Sequence, residues 1–240
     1  MKKTFLSRWV ILIPLFAVVG FSSCKKEGVD TAVAVEQSSL EKNSKSVTKP
    51  FKVRTDTWYR INPVDPKPIS GHPGQLGFVN LPGGGSGNAT EMGNIMTWFN
   101  QLAFSPNGEN PAVGTVVAPL LDALSYRGPF PGAPLPFVQP NDFAQLNIDN
   151  AWLQVPEKVN GCIVNSIVYN KNRDAVFLTL LGDAVSVVES PTRISFSGKG
   201  KFLGGRGKFE KATGTYRIEG YFNPQDPSDA EFSIDGTINY

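Results

Sequence analysis

The chain has 240 residues, and its 23 basic and 21 acidic side chains leave a formal net charge of +2. Lys2, Lys3 and Arg8 fall in the first 23 positions, which hold no acid, so the rest carries 20 bases against 21 acids. The basicity therefore belongs to the N-terminal segment, and composition gives no case for nucleic-acid binding, which wants Lys and Arg clustered in the domain itself. A body with 40% hydrophobic residues can bury a core, while 24 Gly and 19 Pro point to many turns.

In chain order, Lys2, Lys3 and Arg8 precede an apolar run from Trp9 to Val19. The run is too short to cross a ~30 Å hydrocarbon core as a helix and reads as a secretory signal over residues 1–23. It ends in Phe21-Ser22-Ser23-Cys24, which resembles the lipobox of bacterial lipoproteins, with Phe21 where Leu is more usual. The resemblance implies cleavage before Cys24, a thioether-linked diacylglycerol on its sulfur and an acylated amine, hence a membrane partner reached through a lipid anchor. Several acyl chains, at ~0.8 kcal/mol per buried CH₂, make such attachment effectively permanent. Lys25 and Lys26 follow, with no Asp of the kind that resembles an inner-membrane retention signal. Outer membrane is expected, with the periplasmic or surface face left open.

From Cys24 to about Pro50 the chain is rich in Lys, Glu, Ser, Thr and Val without an aromatic residue, and reads as a flexible tether. Aromatics begin at Phe51, Trp58 and Tyr59, so a single domain is expected over 51–240. Strands are expected over Ala89 to Phe104, which includes Glu91 and Trp98, and over Gly114 to Leu121, where a short helix is the alternative and the Val-Val pair favours strand. A Gly/Pro-rich insert runs from Ser105 to Pro140; within it Tyr126, Phe130 and Phe137 alternate with prolines in what reads as a lid, rim or recognition loop. Ile163 to Tyr169 and Ala175 to Leu181 flank a polar joint and predict a hairpin, and Ala184 to Glu189 a further strand. Thereafter period-two alternation carries Ile194, Phe196, Phe202, Tyr216, Ile218, Phe222, Phe232, Ile234, Ile238 and Tyr240 on one face. Gly198, Gly200, Gly220 and Gly236 sit on that same apolar face. Small barrels explain this, since inward glycines let strands coil and make room for a large neighbour. The expected fold is all-β, an eight-stranded antiparallel β-barrel, with a β-sandwich as the other candidate.

The segment Gly204-Gly205-Arg206-Gly207-Lys208-Phe209-Glu210-Lys211-Ala212-Thr213-Gly214 is expected to form one helical turn that plugs a barrel end with Phe209. It resembles the Gly-Gly-Thr-Gly-x-Phe-x-x-Ala-x-Gly signature of the dirigent and allene oxide cyclase-like barrels, with Arg206 in place of Thr and with Gly204, Gly205, Gly207, Phe209, Ala212 and Gly214 kept. A weaker echo, Gly87-Asn88-Ala89-Thr90-Glu91-Met92-Gly93, is similar to a first-strand motif of secreted bacterial relatives, which often carry His where Glu91 stands. The resemblance implies an eight-stranded barrel with an apolar interior, and homo-oligomers with no interface specified. It carries over no catalytic residue.

Chemistry-bearing residues are few. His72 is the only histidine and reads as a solvated loop residue, and there is no G-x-S-x-G or zincin motif, so neither metal nor cofactor is expected. Asp226, Asp229 and Glu231 lack EF-hand spacing and read as a solvated hairpin loop. Cys162, beside Ile163, reads as a small buried hydrophobe, with no disulfide available once Cys24 is acylated. Glu91 reads as a strand residue that faces solvent or pairs with Lys or Arg; the alternative is a buried carboxyl with a raised pKa suited to proton transfer. Glu91, Trp98, Tyr126, Phe130 and Phe137 form the candidate ligand pocket or rim. The expected function is that of an outer-membrane lipoprotein whose barrel binds a small apolar or amphipathic ligand. The alternatives are a cyclase- or dirigent-type enzyme that orients a reactive intermediate, and a glycan- or protein-binding module that uses the Pro/aromatic rim.

Overall fold

The computed structural model describes residues 47–109, 112–123 and 153–240. Its elements are β1 (Thr48–Tyr59), β2 (Asn62–Ile69), β3 (His72–Asn80), β4 (Gly83–Ala89), β5 (Gly93–Phe99), β6 (Gln101–Ser105), β7 (Gly114–Val117) and α1 (Leu120–Ala123). They continue with β8 (Lys158–Val159), β9 (Cys162–Ile163), β10 (Ser166–Asn170), β11 (Ala175–Leu180), β12 (Ala184–Ser190), β13 (Arg193–Arg206), a 3₁₀ turn (Gly207–Phe209), β14 (Thr213–Asn223) and β15 (Asp226–Asn239). β11-β10-β5-β4-β1-β15-β14-β13 pair in that order and β13 pairs back to β11, closing an eight-stranded antiparallel barrel.

Closure rests on parity. Phe51, Val53, Thr55, Thr57 and Tyr59 of β1 are all buried, and the residues between them are exposed or half-buried. The inward registers set a glycine beside a bulky side chain: Gly236 opposite Phe51 and Tyr216, Gly220 opposite Phe196 and Phe232, Gly200 opposite Tyr216, and Gly214 opposite Phe202 and Ile238. An eight-stranded barrel has just enough interior to be filled by side chains, so a large residue at every inward position could not be accommodated. A Cβ on Gly236 would lie 2.7 Å from Tyr216 Cβ, and one on Gly220 2.9 Å from Phe196 Cζ. On β4, Gly83, Gly85 and Gly87 face the same interior, where a Cβ on Gly85 would sit 2.7 Å from Thr57 Cγ2.

Two clusters share the barrel wall. The inner one joins Phe51, Val53, Val176, Leu178, Phe202 and Tyr216 among others. The outer one lies over β5, β10 and β11 and includes Trp98, Leu120, Leu153, Val164, Ile167 and Phe177. Every residue of β11 is buried because the strand carries core on both faces, which explains its unbroken apolar run.

β13 is long enough to serve two neighbours: Gly200 to Arg206 pair with β11, and Arg193 to Ser197 pair with β12 beyond the rim. From β12 the sheet continues through β7, β6 and β3 to β2 as a five-stranded wing. Its last strand bears Pro63, Pro66, Pro68, Asp65 and Lys67, residues that blunt an edge against pairing with another chain.

The barrel, the hairpin of β10 and β11, β12 and the three C-terminal strands match expectation. Other segments differ. β1 begins at Thr48, three residues before the expected domain start. The segment from Ala89 to Phe104 is not one strand: it turns at Thr90–Met92 and leaves the barrel at Asn100, whose N–H donates to Asn165 O at 2.8 Å. The strand expected over Gly114 to Leu121 ends at Val117, and a helical turn follows Pro119.

Gly200→Ala should lower the urea midpoint and cost about 1–3 kcal/mol, because its Cβ would enter the ring of Tyr216 and approach a buried carbonyl. Gly198→Ala, whose Cβ would meet Ala184 and Ile218 at an ordinary 3.4 Å, should change stability by less than ~1 kcal/mol. Equal effects in the two unfolding curves would contradict this account of the interior.

Candidate functional site

The two barrel ends differ. At one end the 3₁₀ turn inserts Phe209, which has no exposed surface and packs against Phe51 and Tyr240 with ring centroids 6.1 and 4.8 Å away. Gly204, Gly207 and Gly214 adopt φ of +111°, +63° and +131°, so the backbone around this plug needs residues without a Cβ. Gly205 abuts the carbonyl of Ala175, where a side chain would not fit, and Ala212 is 1% exposed.

Glu91 lies at this plugged end. It occupies the β4–β5 turn at φ +68°, not a strand, and its side chain is part-exposed. Lys49 Nζ donates to Glu91 Oε2 at 2.8 Å, Tyr240 OH donates to the same oxygen at 2.7 Å, and Lys208 Nζ donates to the Glu91 backbone oxygen. The hydrogen bonds from Lys49 and Tyr240 hold the Glu91 carboxyl below its usual range, and Glu91 in turn raises Lys49. This carboxylate is solvent-facing and paired with Lys49, and is not a buried acid. It is a latch joining the start of β1, the β4–β5 turn, the plug and the end of β15.

The opposite end holds a cavity of about 60 Å³ under the base of the wing. Barrel strands supply its walls with Tyr59, Phe99, Phe196, Phe222, Phe232 and Ile218. Tyr59 and Phe222 meet edge to face at 5.3 Å, and Phe99 and Phe232 at 6.0 Å. Leu81, Gln101 and Thr115 close the side toward the wing, and Asn165 and Ser166 the approach to β10. Parity accounts for most of this lining: after the glycines, the inward positions near this rim are aromatic or β-branched.

The phenols at the cavity are engaged. Tyr59 OH donates to Asn223 O at 2.7 Å and Tyr216 OH to Thr179 O at 3.0 Å. Burial pushes both well above the ordinary phenol range. Tyr221 OH donates to Asp229 Oδ1 at 3.1 Å. Thr115 Oγ1 donates to Gln101 Oε1 at 2.7 Å.

Of the residues expected to form a pocket or rim, the two that are described, Glu91 and Trp98, do not line this cavity. Glu91 is at the far end. Trp98 points outward from β5 into the outer cluster, edge to face with Trp58 at 5.4 Å across Gly84, and its Nε1 donates to Tyr169 OH at 3.3 Å. Tyr126, Phe130 and Phe137 lie outside the described residues, as does Cys24. His72 is the first residue of β3, not a free loop residue, and its Nε2 is 3.2 Å from Asp183 Oδ1. Asp226 accepts from Ser228 N at 3.0 Å and Asp229 from Asn223 Nδ2 at 3.1 Å, so these acids organise the β14–β15 hairpin. No group of three His, Cys, Asp or Glu among the described residues could hold a metal ion.

Cys162 differs from expectation. It is buried in the outer cluster, and it is disulfide-bonded rather than a thiol, with its partner sulfur outside the described residues.

Sequence parity places Phe196, Tyr216, Phe222 and Phe232 on the inner face, but Gln101, Thr115 and Asn165 carry no signal, because they reach the cavity only through the break of β5 into β6 and the approach to β10. Comparison with known families, curated proteins and solved structures finds no match for this chain. The barrel expected from the dirigent and allene oxide cyclase resemblance is present, and the family itself has no support from these comparisons.

The latch should be acid-sensitive. Its carboxyl is depressed in the folded state, so its contribution is present above the unfolded-state value and lost as pH falls through the lower folded value. Amide exchange over Gly207–Ala212, corrected for intrinsic rates, should accelerate between about pH 6 and about pH 3 in the wild type. In Glu91→Gln it should already be fast at about pH 6 and show little further change.

Proposed function

We propose that this chain is a lipid-anchored outer-membrane protein whose barrel takes up one small apolar or amphipathic molecule at the unplugged end, without acting on it chemically. The aromatic-walled cavity between the barrel rim and the wing carries this reading. A volume of about 60 Å³ is room for roughly four to six waters at ~10–15 Å³ each, well short of the ~300–1,000 Å³ of drug-sized sites. The ligand is thus about the size of one six-membered ring, unless the wing lifts from the rim.

Binding is favoured over catalysis by the lining. Among the described residues its ionisable groups are Tyr59, Tyr216 and Tyr221, all hydrogen-bonded, and the phenols of Tyr59 and Tyr216 are held protonated by burial. None is poised to exchange a proton near neutral pH.

The anchor rests on the N-terminal sequence. The barrel wall supports it indirectly: the outward positions of β1, β13, β14 and β15 carry Lys52, Arg54, Asp56, Lys199, Arg217, Glu219 and Asp235, where a membrane-embedded barrel presents an apolar band. Cys24 is the only cysteine besides Cys162, and a sulfur that carries a thioether cannot share a disulfide. The proposed anchor therefore requires Cys162 to be a buried thiol in the mature protein.

Two measurements test the proposal. Native mass spectrometry of a Cys24→Ala chain, before and after organic extraction, should show a small-molecule adduct that extraction removes; identical masses would count against an occupied cavity. Protein extracted from membranes should have an intact mass that starts at Cys24 and includes a diacylglycerol and an amide-linked acyl chain. Its Cys162 should react with maleimide on denaturation alone. A requirement for reductant would overturn the anchor.

A further inference from the structure

We propose that the plugged end of the barrel is a docking face for an anionic phospholipid surface, so that the cavity end is turned toward water. The proposal rests on the lipid anchor above and deepens it: the anchor ties the chain to a membrane, and the charge of this end decides how the barrel sits there.

Two independent observations point to the same end. The first is where the chain enters. Residues 24–46 join the barrel at Val47, whose N–H donates to Tyr240 O at 3.1 Å, and the Tyr240 ring packs on the Phe209 plug. A lipid on Cys24 is therefore linked to the plugged end. That link does not by itself fix an orientation, because residues 25–46 could span up to ~80 Å.

The second observation is charge. The turns at this end lie against one another, since Asn170 Nδ2 donates to Met92 O at 3.1 Å and Lys208 N donates to Asp174 Oδ1 at 3.1 Å. They present Lys171, Arg173, Lys208 and Lys211, all exposed, against Asp174 and Glu210. Glu91 adds no net charge, because Lys49 pairs with it at 2.8 Å. Lys171, Arg173 and Lys211 enter no ion pair among the described residues. At the cavity end the β12–β13 and β14–β15 hairpins carry Glu189, Asp226 and Asp229 against Arg193. The barrel is thus polarised along its axis, positive at the plug and negative at the opposite rim.

A layer of anionic headgroups attracts the first end and repels the second within a screening length of ~8–10 Å. The wall between them mixes both signs, with Lys52 against Asp235 at 3.2 Å, so a barrel lying on its side gains less. Entry point and charge agree, and the cavity then opens away from the bilayer, where its ligand arrives from water.

The test takes the protein extracted from membranes, inserts it from outside into preformed vesicles of phosphatidylcholine, with or without phosphatidylglycerol, and recovers the vesicles by flotation. Brief acetylation with a water-soluble reagent is then read lysine by lysine by peptide mass spectrometry. Phosphatidylglycerol should slow Lys171, Lys208 and Lys211 about threefold or more, and about 1 M salt, where the screening length is ~3 Å, should abolish the difference. Lys67 on the wing and Lys199 on the barrel wall, both exposed, should react alike in the two vesicles. In the double variant Lys171→Glu, Lys211→Glu the slowing at Lys208 should be lost. Equal rates at the three lysines in both vesicles, slowing at Lys67 or Lys199 in their place, or slowing at Lys208 that persists in the variant would each overturn the proposal while flotation still upholds the anchor. If the protein floats with neither vesicle, the anchor falls and this inference with it.

Discussion

Everything in this barrel depends on small residues facing large ones across its interior. Eight strands fix an interior just wide enough for side chains to fill, so bulky residues at every inward position would overfill it. Tyr216 between Gly200 and Gly236, and Phe196 and Phe232 on either side of Gly220, are the local solutions to that limit. The glycines also free the backbone to coil at close range, as where Gly85 and Gly87 lie against the carbonyls of Asp56 and Arg54. The entropy that strand glycines cost is offset by aromatic burial in the space they vacate.

That packing rule leaves the two ends with different roles. At one, Phe209 completes the core, and the latch of Glu91 with Lys49, Tyr240 and Lys208 ties four chain segments over it. At the other, the strands do not stop at the rim. β13 runs on to pair with β12, and the chain of β5 passes through Asn100 into β6, so a second sheet grows from the barrel wall. The cavity exists because the last aromatic layer of the barrel meets the base of this wing instead of a second plug. Asn165 Oδ1, a buried acceptor with no partner among the described residues, lies beside Asn100, where strand order changes from barrel to wing.

Much of the architecture was legible from parity. The alternation from Ile194 to Tyr240 gave three strands with the correct inward face, and the glycines on that face pointed to closure. The wing was not legible. β2 contains three prolines and β4 reads Gly-Gly-Gly-Ser-Gly-Asn-Ala, compositions that suggest loop when read locally and become strand because neighbours on both sides, or on one protected side, supply the hydrogen bonds. Glu91 was misread for a related reason: period-two counting carried the strand through a turn that its positive φ reveals only in three dimensions.

The sequence by itself determined the all-β class, the inward face of the C-terminal strands and the Phe209 plug. Each depends on the order of residues within a short stretch, where hydropathy and side-chain size act directly on the local backbone. Tertiary structure alone decided that the barrel carries a wing, that Glu91 and the cavity lie at opposite ends, and that Trp98 faces outward. Those outcomes depend on which distant segments pair, and a register set across the barrel leaves no mark on the residues it brings together.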